Sequence, residues 1–441
     1  MTTEQVSGWG RSTTALCDVR RVRPDEAPGA VVAAGGRGVL GHGSGRSYGD
    51  ASLNSGGDLL VVTDGIRLDA EGGRVTAAAG TTFEQLLRAC LPHSWSLPVL
   101  PGTRHLTVGG AVAADVHGKN HWADGSLGPW VEELVLVDGS GATRVLGPAD
   151  AAFWATVGGM GLTGVVTSAT IRLVRVESSW LEVDNQRGAD LDAVLADLDR
   201  AARAERWAVA WVDGLARGAA FGRGIVSSAR VLPAARAPGA DPLRYDPSAR
   251  LAAPPLPVSL VTPLTARAFN AAWWRRPHQD GTTVSSLTAF FHPLDGVHAW
   301  NRFYGPRGFL QYQFVVPVGA EQVLRTALER VAASGGAPFL GVVKRFGGAN
   351  AAPLSFPRPG WSLAIDLPRT AGLAAALDGL DELVAAAGGA VYLAKDARLR
   401  PELLPVMYPR LREWREVQAG CDPHGRLRSD LDRRLGMVER A

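Results

Sequence analysis

Val39-Leu40-Gly41-His42-Gly43-Ser44-Gly45-Arg46-Ser47-Tyr48-Gly49-Asp50 sets four glycines within nine residues directly after a short apolar run. The apolar run reads as the end of a strand. The glycines after it let backbone amides come close to an anion, and a nest of N–H groups of this kind suits a pyrophosphate. Glycine-rich turns are common, so the stretch alone decides little. It is not the G-x-G-x-x-G fingerprint opening a long helix. Asp50-Ala51-Ser52-Leu53 is too short a continuation, and no acidic residue ends a second βαβ strand. A Rossmann fold is therefore disfavoured.

Two more glycine-rich stretches lie within reach of the first. One is Pro101-Gly102-Thr103, continued by Thr107-Val108-Gly109-Gly110-Ala111-Val112-Ala113 and Asp115-Val116-His117-Gly118-Lys119-Asn120-His121. The other is Gly158-Gly159-Met160-Gly161-Leu162-Thr163-Gly164-Val165. Small residues in such loops mean a backbone pressed against something flat or anionic. Together the three look like a scaffold around an extended dinucleotide. Between them, Leu59–Val62, Val75–Ala78, Val108–Ala114, Leu134–Val137 and Val165–Leu173 read as strands. Phe83–Cys90 reads as a helix with Thr82 as N-cap, and Ala151–Val157 as another with Asp150 as N-cap.

The texture changes near residue 178. Leu191–Arg203 carries an apolar stripe at helical spacing. Residues 232–263 hold eight prolines and read as a long mobile loop. Ser286–Phe291, Leu310–Val316, Phe339–Arg345 and Trp361–Leu367 read as one antiparallel sheet, covered by helices at Ala320–Ala333 and Thr370–Ala387. A strand at Ala390–Leu393 and helical segments around Pro401 and Pro409–Val417 close the chain. The fold class is α+β, with two domains: 1–177 plus 390–441, and 178–389.

The 441 residues carry a net charge of +3, with 46 basic residues against 43 acidic ones and no long run of one sign. That pattern gives no support to nucleic-acid binding. Only three of the basic residues, Lys119, Lys344 and Lys395, are lysines. Cys17, Cys90 and Cys421 are far apart, with neither a CxxC pair nor metal-ligand spacing, so they read as incidental thiols and no metal is expected. No apolar segment near the N-terminus reads as a leader. None approaches the roughly 18 apolar residues that span a bilayer. A cytoplasmic or peripheral membrane location is expected.

These stretches resemble the FAD domain of the vanillyl-alcohol-oxidase/PCMH flavoprotein superfamily. The resemblance implies a two-domain FAD-binding fold with an antiparallel-sheet substrate domain. Gly43, Ser44, Gly45, Arg46, Ser47, Tyr48, Gly102, Thr103, Thr107, Gly109, Gly110, Ala113, His117, Gly118, Asn120, Gly159, Gly161, Thr163, Gly164, Val165 and Lys395 are then cofactor-binding. Many members tether FAD through a histidine in the first loop; the matching position here is Arg46, which implies a non-covalent flavin. His117-Gly118-Lys119-Asn120-His121, Phe291-His292-Pro293-Leu294-Asp295 and Tyr304-Gly305-Pro306-Arg307-Gly308-Phe309 resemble more narrowly the family that oxidises polyprenylphosphoryl ribose.

By that resemblance Gln313, Lys344, Ser362 and Ala364 contact substrate, and Lys395, Tyr392 and His117 are catalytic. Alcohol oxidation sends a hydride to the flavin and a proton elsewhere. A desolvated lysine either takes that proton or stabilises alkoxide character, and both roles stay open for Lys395. His117 reads either as a structural histidine or as a hydrogen-bonding partner of flavin or sugar. Lys119 reads as a solvated charge or as a neighbour of the flavin. Trp273 and Trp274 read as a membrane-facing or a buried pair. The family implies a lipid-linked ribosyl substrate, peripheral membrane contact and a partner reductase that returns the ketone to an arabinosyl product. Two positions depart from it: Ala364 replaces a cysteine that nitroaromatic inhibitors attack, and Ser362 replaces an asparagine. The first predicts no covalent adduct in the pocket. Both leave open a related oxidase of another sugar or nucleoside, and a flavin-binding protein without turnover is a third reading.

Overall fold

A computed structural model describes residues 2–247, 249, 251–276 and 280–439. Near the N-terminus, Thr2–Ser7 pairs antiparallel with Thr14–Val22. Thr14–Val22 and Val39–Gly41 both run parallel to Asp58–Val62, which lies between them. A five-stranded antiparallel sheet follows in the order Ile66–Asp69, Arg74–Ala78, Val165–Arg172, Val131–Val137 and Thr143–Leu146. The helix Phe83–Cys90 packs on this part, started by a capping box in which Thr82 and Gln85 satisfy each other's backbone N–H groups.

The largest element is an eight-stranded antiparallel sheet. Its order is Gly281–Ser286, Trp180–Gly188, Gly224–Val231, Trp207–Val212, Gly341–Phe346, Gly360–Pro368, Phe309–Val316 and Ala390–Val391. The last strand, expected with the first domain, pairs here with Phe309–Val316. Helices Leu191–Ala204, Glu321–Ala333 and Leu373–Ala386 supply core residues against one face. Alternation along a strand then does the sorting. Leu363, Ile365 and Leu367 join Tyr312, Phe314 and Val343 in that core. Gln311, Gln313, Val342, Lys344, Ser362, Ala364 and Asp366, which alternate with them, line a cavity on the other face.

Two expected strands are helical. Val108–Ala113 forms a helix with Thr107 as N-cap, its Oγ1 accepting from the Gly110 N–H at 3.4 Å. Val108, Ala111 and Val112 are its buried residues, a spacing that suits one helix face as well as an apolar run. The strand expected over Ser286–Phe291 stops at Ser286, which caps the helix Leu287–Phe291 through the Ala289 N–H. Asp150 precedes its helix without capping it and accepts instead from the Gly147 N–H. Within 232–263 the described residues form one 3-10 turn, Ala234–Arg236, and a two-residue strand, Leu251–Ala252. Ser248 and Arg250 lie outside the described residues. Pro263 opens the helix Pro263–Arg275 behind a capping box on Thr262.

Candidate active site

One cavity of about 860 Å³ lies between the glycine-rich loops and the open face of the large sheet. Its volume is at the upper end of the range for ligand sites, roughly 300–1,000 Å³. The loop wall carries Gly43, Ser44, Gly45, Arg46, Ser47, Tyr48, Gly102, Thr103, Thr107, Gly109, Gly110, Ala113, His117, Gly161, Gly164 and Val165. The sheet wall carries Gln313, Lys344, Ser362 and Ala364, with Tyr392 and Lys395 beside them. Register explains the grouping: Gln313 lies opposite Ala364, and Ser362 opposite Lys344.

Four residues expected at the cofactor stand behind the wall instead. Asn120 is fully buried and its amide donates to the Pro98 carbonyl at 2.7 Å and to Asp124 at 2.6 Å. At Gly118 a Cβ would meet Asn120 Oδ1 at 2.6 Å. At Gly159 it would meet the Ala155 carbonyl at 2.2 Å. Thr163 is buried against Thr156, with the two hydroxyls 2.9 Å apart. These residues shape the loops rather than line the cavity.

All three lysines face the cavity. Burial draws the Lys395 ammonium down to about 7, with Asp366 opposing and Lys344 adding repulsion. Its Nζ lies 3.9 Å from the centre of the Tyr48 ring. Burial lowers Lys344 to about 8. It lowers Lys119 to about 7, helped by repulsion from Lys344. Lys119 donates to the Phe290 carbonyl and lies over the Phe290 ring. The Asp366 carboxyl is pushed up to about 7 by burial, while the Gln311 amide and Lys395 favour its charged form.

His117 is neutral. Burial holds its imidazole well below the ordinary range, and Lys344, His121 and Lys395 add repulsion. The Gln313 amide donates to His117 Nε2 at 3.0 Å and to Ser362 Oγ at 3.2 Å. The imidazole proton is therefore on Nδ1, which is buried and has no protein partner. The Tyr392 hydroxyl donates to the Ala114 carbonyl at 2.8 Å, and its ring stacks on Phe356. Burial raises its phenol well above the usual range, so it remains protonated.

Sequence reasoning passed over Gln311 and Asp366, yet alternation along Gly360–Pro368 puts Asp366 on the same face as Ser362 and Ala364. It also passed over Asp295. That carboxylate accepts from Thr103 Oγ1 at 3.0 Å and the Arg104 N–H at 2.8 Å, fixing the loop that begins at Pro101. Arg104, buried, reaches Glu84 and the Pro247 carbonyl, so the proline-rich segment is anchored to the same loop. Trp273 lines the cavity. Trp274 instead lies against the guanidinium groups of Arg187 and Arg223. No cysteine lines the cavity, and all three are buried.

The loop wall fits an anionic dinucleotide. Gly102 faces the cavity, and a Cβ there would meet no protein atom within 4 Å. Gly45 holds φ at 62°, a conformation that favours glycine. Arg46 stacks on Trp9 at 4.0 Å, while its Nε is buried with no protein partner. An arginine at this position offers no ring nitrogen for a covalent flavin link.

Residues 29–147 match the FAD binding domain family. The chain is 39% identical over 452 aligned positions to the decaprenylphosphoryl-β-D-ribose oxidase of Mycolicibacterium smegmatis, covering 99% of this chain and 98% of that protein. It is 43% identical to an uncharacterised protein of Streptomyces coelicolor over 81% of this chain and all of that one. An alditol oxidase of a Streptomyces species is 27% identical over 38% of this chain and 41% of its own length. FAD is the cofactor, and the fold is that of the vanillyl-alcohol-oxidase/PCMH superfamily. With identity at this level along nearly the whole of both proteins, the chain belongs to the decaprenylphosphoryl-β-D-ribose oxidase family of FAD-dependent oxidoreductases.

Proposed function

We propose that the protein oxidises the 2-hydroxyl of decaprenylphosphoryl-β-D-ribose to the 2-keto sugar. The observation that carries this reading is the gathering of Lys344, Lys395, Gln313 and His117 around one cavity whose other wall suits FAD. FAD, when bound, accepts the hydride. We place it on residues 1–177 and 390–441, with the sugar against the sheet of 178–389. Lys395, drawn down to about 7, is partly neutral at neutral pH and takes the hydroxyl proton. His117 stays neutral in the cavity wall, and Gln313 fixes its ring. Tyr392 positions rather than titrates, because its hydroxyl is engaged by Ala114. A partner reductase that returns the ketone with inverted configuration would complete an epimerisation in cell-wall arabinan synthesis.

The test is anaerobic flavin bleaching of the purified holoenzyme, with decaprenylphosphoryl ribose, free ribose and nucleosides as rival donors. Loss of the oxidised-flavin absorbance with the lipid donor is expected. Bleaching by a soluble ribosyl compound alone would move the protein to another pathway, a reading that Ser362 and Ala364 on the sheet wall keep open. Bleaching by none would leave FAD binding without this reaction.

Peripheral membrane contact suits a lipid-linked donor. Among the described residues no helix is long and apolar enough to cross a membrane. Leu251, Val258, Leu260 and Leu264 are each at least half exposed, and all lie in or next to the proline-rich segment. Phe269 and Trp273, on the helix that follows, line the cavity. Leu264→Asp should lower flotation with anionic vesicles severalfold; unchanged flotation would place the contact elsewhere.

A further inference from the structure

We infer that Lys119 and Lys344 form an anion subsite in the cavity, between the loop wall and the sheet wall, that takes the phosphate of a sugar-phosphate donor. The identity of that donor rests on the proposed oxidase reading. The first observation is compositional: in a chain whose basic residues are otherwise all arginine, the only three lysines line one cavity. Arginine stays charged at all working pH values, whereas a buried lysine can gain or lose its proton with its surroundings.

The second observation is the lack of a counter-charge. Among the described residues Lys344 makes no ion pair and no hydrogen bond, and Lys119 donates only to the Phe290 carbonyl. The two carboxylates on the cavity wall are taken. Asp366 accepts from Gln311 and acts on Lys395, and Asp295 is held by Thr103 and Arg104. Among the other titratable neighbours, His117, His121 and His292 are held neutral by burial, with repulsion from Lys344 on the first two and from Lys119 on His292, and Lys395 is a further cation and no counter-charge. Buried charges without partners are costly. Lys119 comes from the loop wall and Lys344 from the sheet wall, so one anion between them would satisfy both. A phosphate has the charge and the acceptor oxygens for this. It would also favour the charged form of each lysine, so binding near neutral pH takes up protons.

The test exploits the scarcity of lysine. The FAD-loaded wild-type enzyme is acetylated at pH 8 with increasing inorganic phosphate, against chloride of equal ionic strength, and the three lysine sites are followed by peptide mass mapping. At phosphate twice its dissociation constant, acetylation of Lys119 and Lys344 should slow about threefold with that of Lys395 unchanged. Lys344→Met should abolish the protection at Lys119. Decaprenyl phosphate protecting at lower concentration than inorganic phosphate assigns the subsite to a lipid-linked headgroup; the reverse order assigns it to a free sugar phosphate. Equal acetylation in phosphate and chloride, or protection confined to Lys395, overturns the subsite. Bleaching by the lipid donor without protection overturns the subsite alone, whereas protection without bleaching overturns the oxidase reading alone.

Discussion

Lys395→Met holoenzyme should keep its flavin yet be reduced by the sugar donor about 100- to 10,000-fold more slowly, the usual range for loss of a positioned proton acceptor. Stopped-flow bleaching measures it. The wild-type pH profile separates the two roles of this lysine. A base must be neutral to act, so the apparent second-order rate of flavin reduction should rise with pH and level off above about 7, the value to which burial draws Lys395. An ammonium acting by charge alone gives the opposite slope. Lys395→Arg sharpens the distinction, because a guanidinium cannot give up its proton. Rescue by arginine would sink the proton-acceptor role.

Asp115→Ala should destabilise the protein by about 3–5 kcal/mol, read by urea unfolding of the apoprotein and the Asn variant in parallel. The carboxylate is fully buried and accepts from Ser126 Oγ, Gly128 N–H, Asn350 Nδ2 and Ser355 Oγ. Each buried donor left without a partner costs about 1–3 kcal/mol, part of which relaxation recovers. Asp115 also holds φ at 41°, where alanine is strained and asparagine is tolerated. Asp115→Asn should therefore lose less than half as much. These contacts fasten the loop that carries His117 to the segment 350–355, so weaker FAD retention should accompany the alanine loss. An alanine variant as stable as wild type would show that another group anchors this loop.

Much of the site was legible in the sequence because glycine and lysine are scarce in reasons for being where they are. The loop from Gly43 to Tyr48, the Gly102-Thr103 turn and the three lysines all reach the cavity. The strands Phe309–Val316, Gly341–Phe346, Gly360–Pro368 and Ala390–Val391 of the large sheet, and the helix behind its Thr82 N-cap, follow from local pattern, whereas sequence reasoning passed over Trp180–Gly188, Trp207–Val212, Gly224–Val231 and Gly281–Ser286 as strands. Short apolar runs were less readable. Val108–Ala113 has too few residues to separate the two periods, and the hydroxyl of Thr107 tips it to helix. Ser286 does the same at the end of Gly281–Ser286. Gly118, Asn120, Gly159 and Thr163 belong to motifs whose neighbours line the cavity. A motif does not say which of its members face inward, and here backbone packing decides. Asp295 acts through Thr103 and Arg104, almost two hundred positions away, a contact that no local pattern announces.

The strand Gly360–Pro368 divides its labour residue by residue. Trp361, Leu363, Ile365 and Leu367 belong to the core, where truncation to alanine costs about 2–5 kcal/mol. Ser362, Ala364 and Asp366 touch only the cavity side. Selection can therefore retune what the enzyme accepts, or which inhibitor it escapes, at two of these positions without spending fold stability. The two departures that the resemblance implies, Ser362 for asparagine and Ala364 for cysteine, fall on those positions. A lineage that exchanged one sugar for another would be expected to leave its first marks there, while its neighbours one residue away stayed fixed.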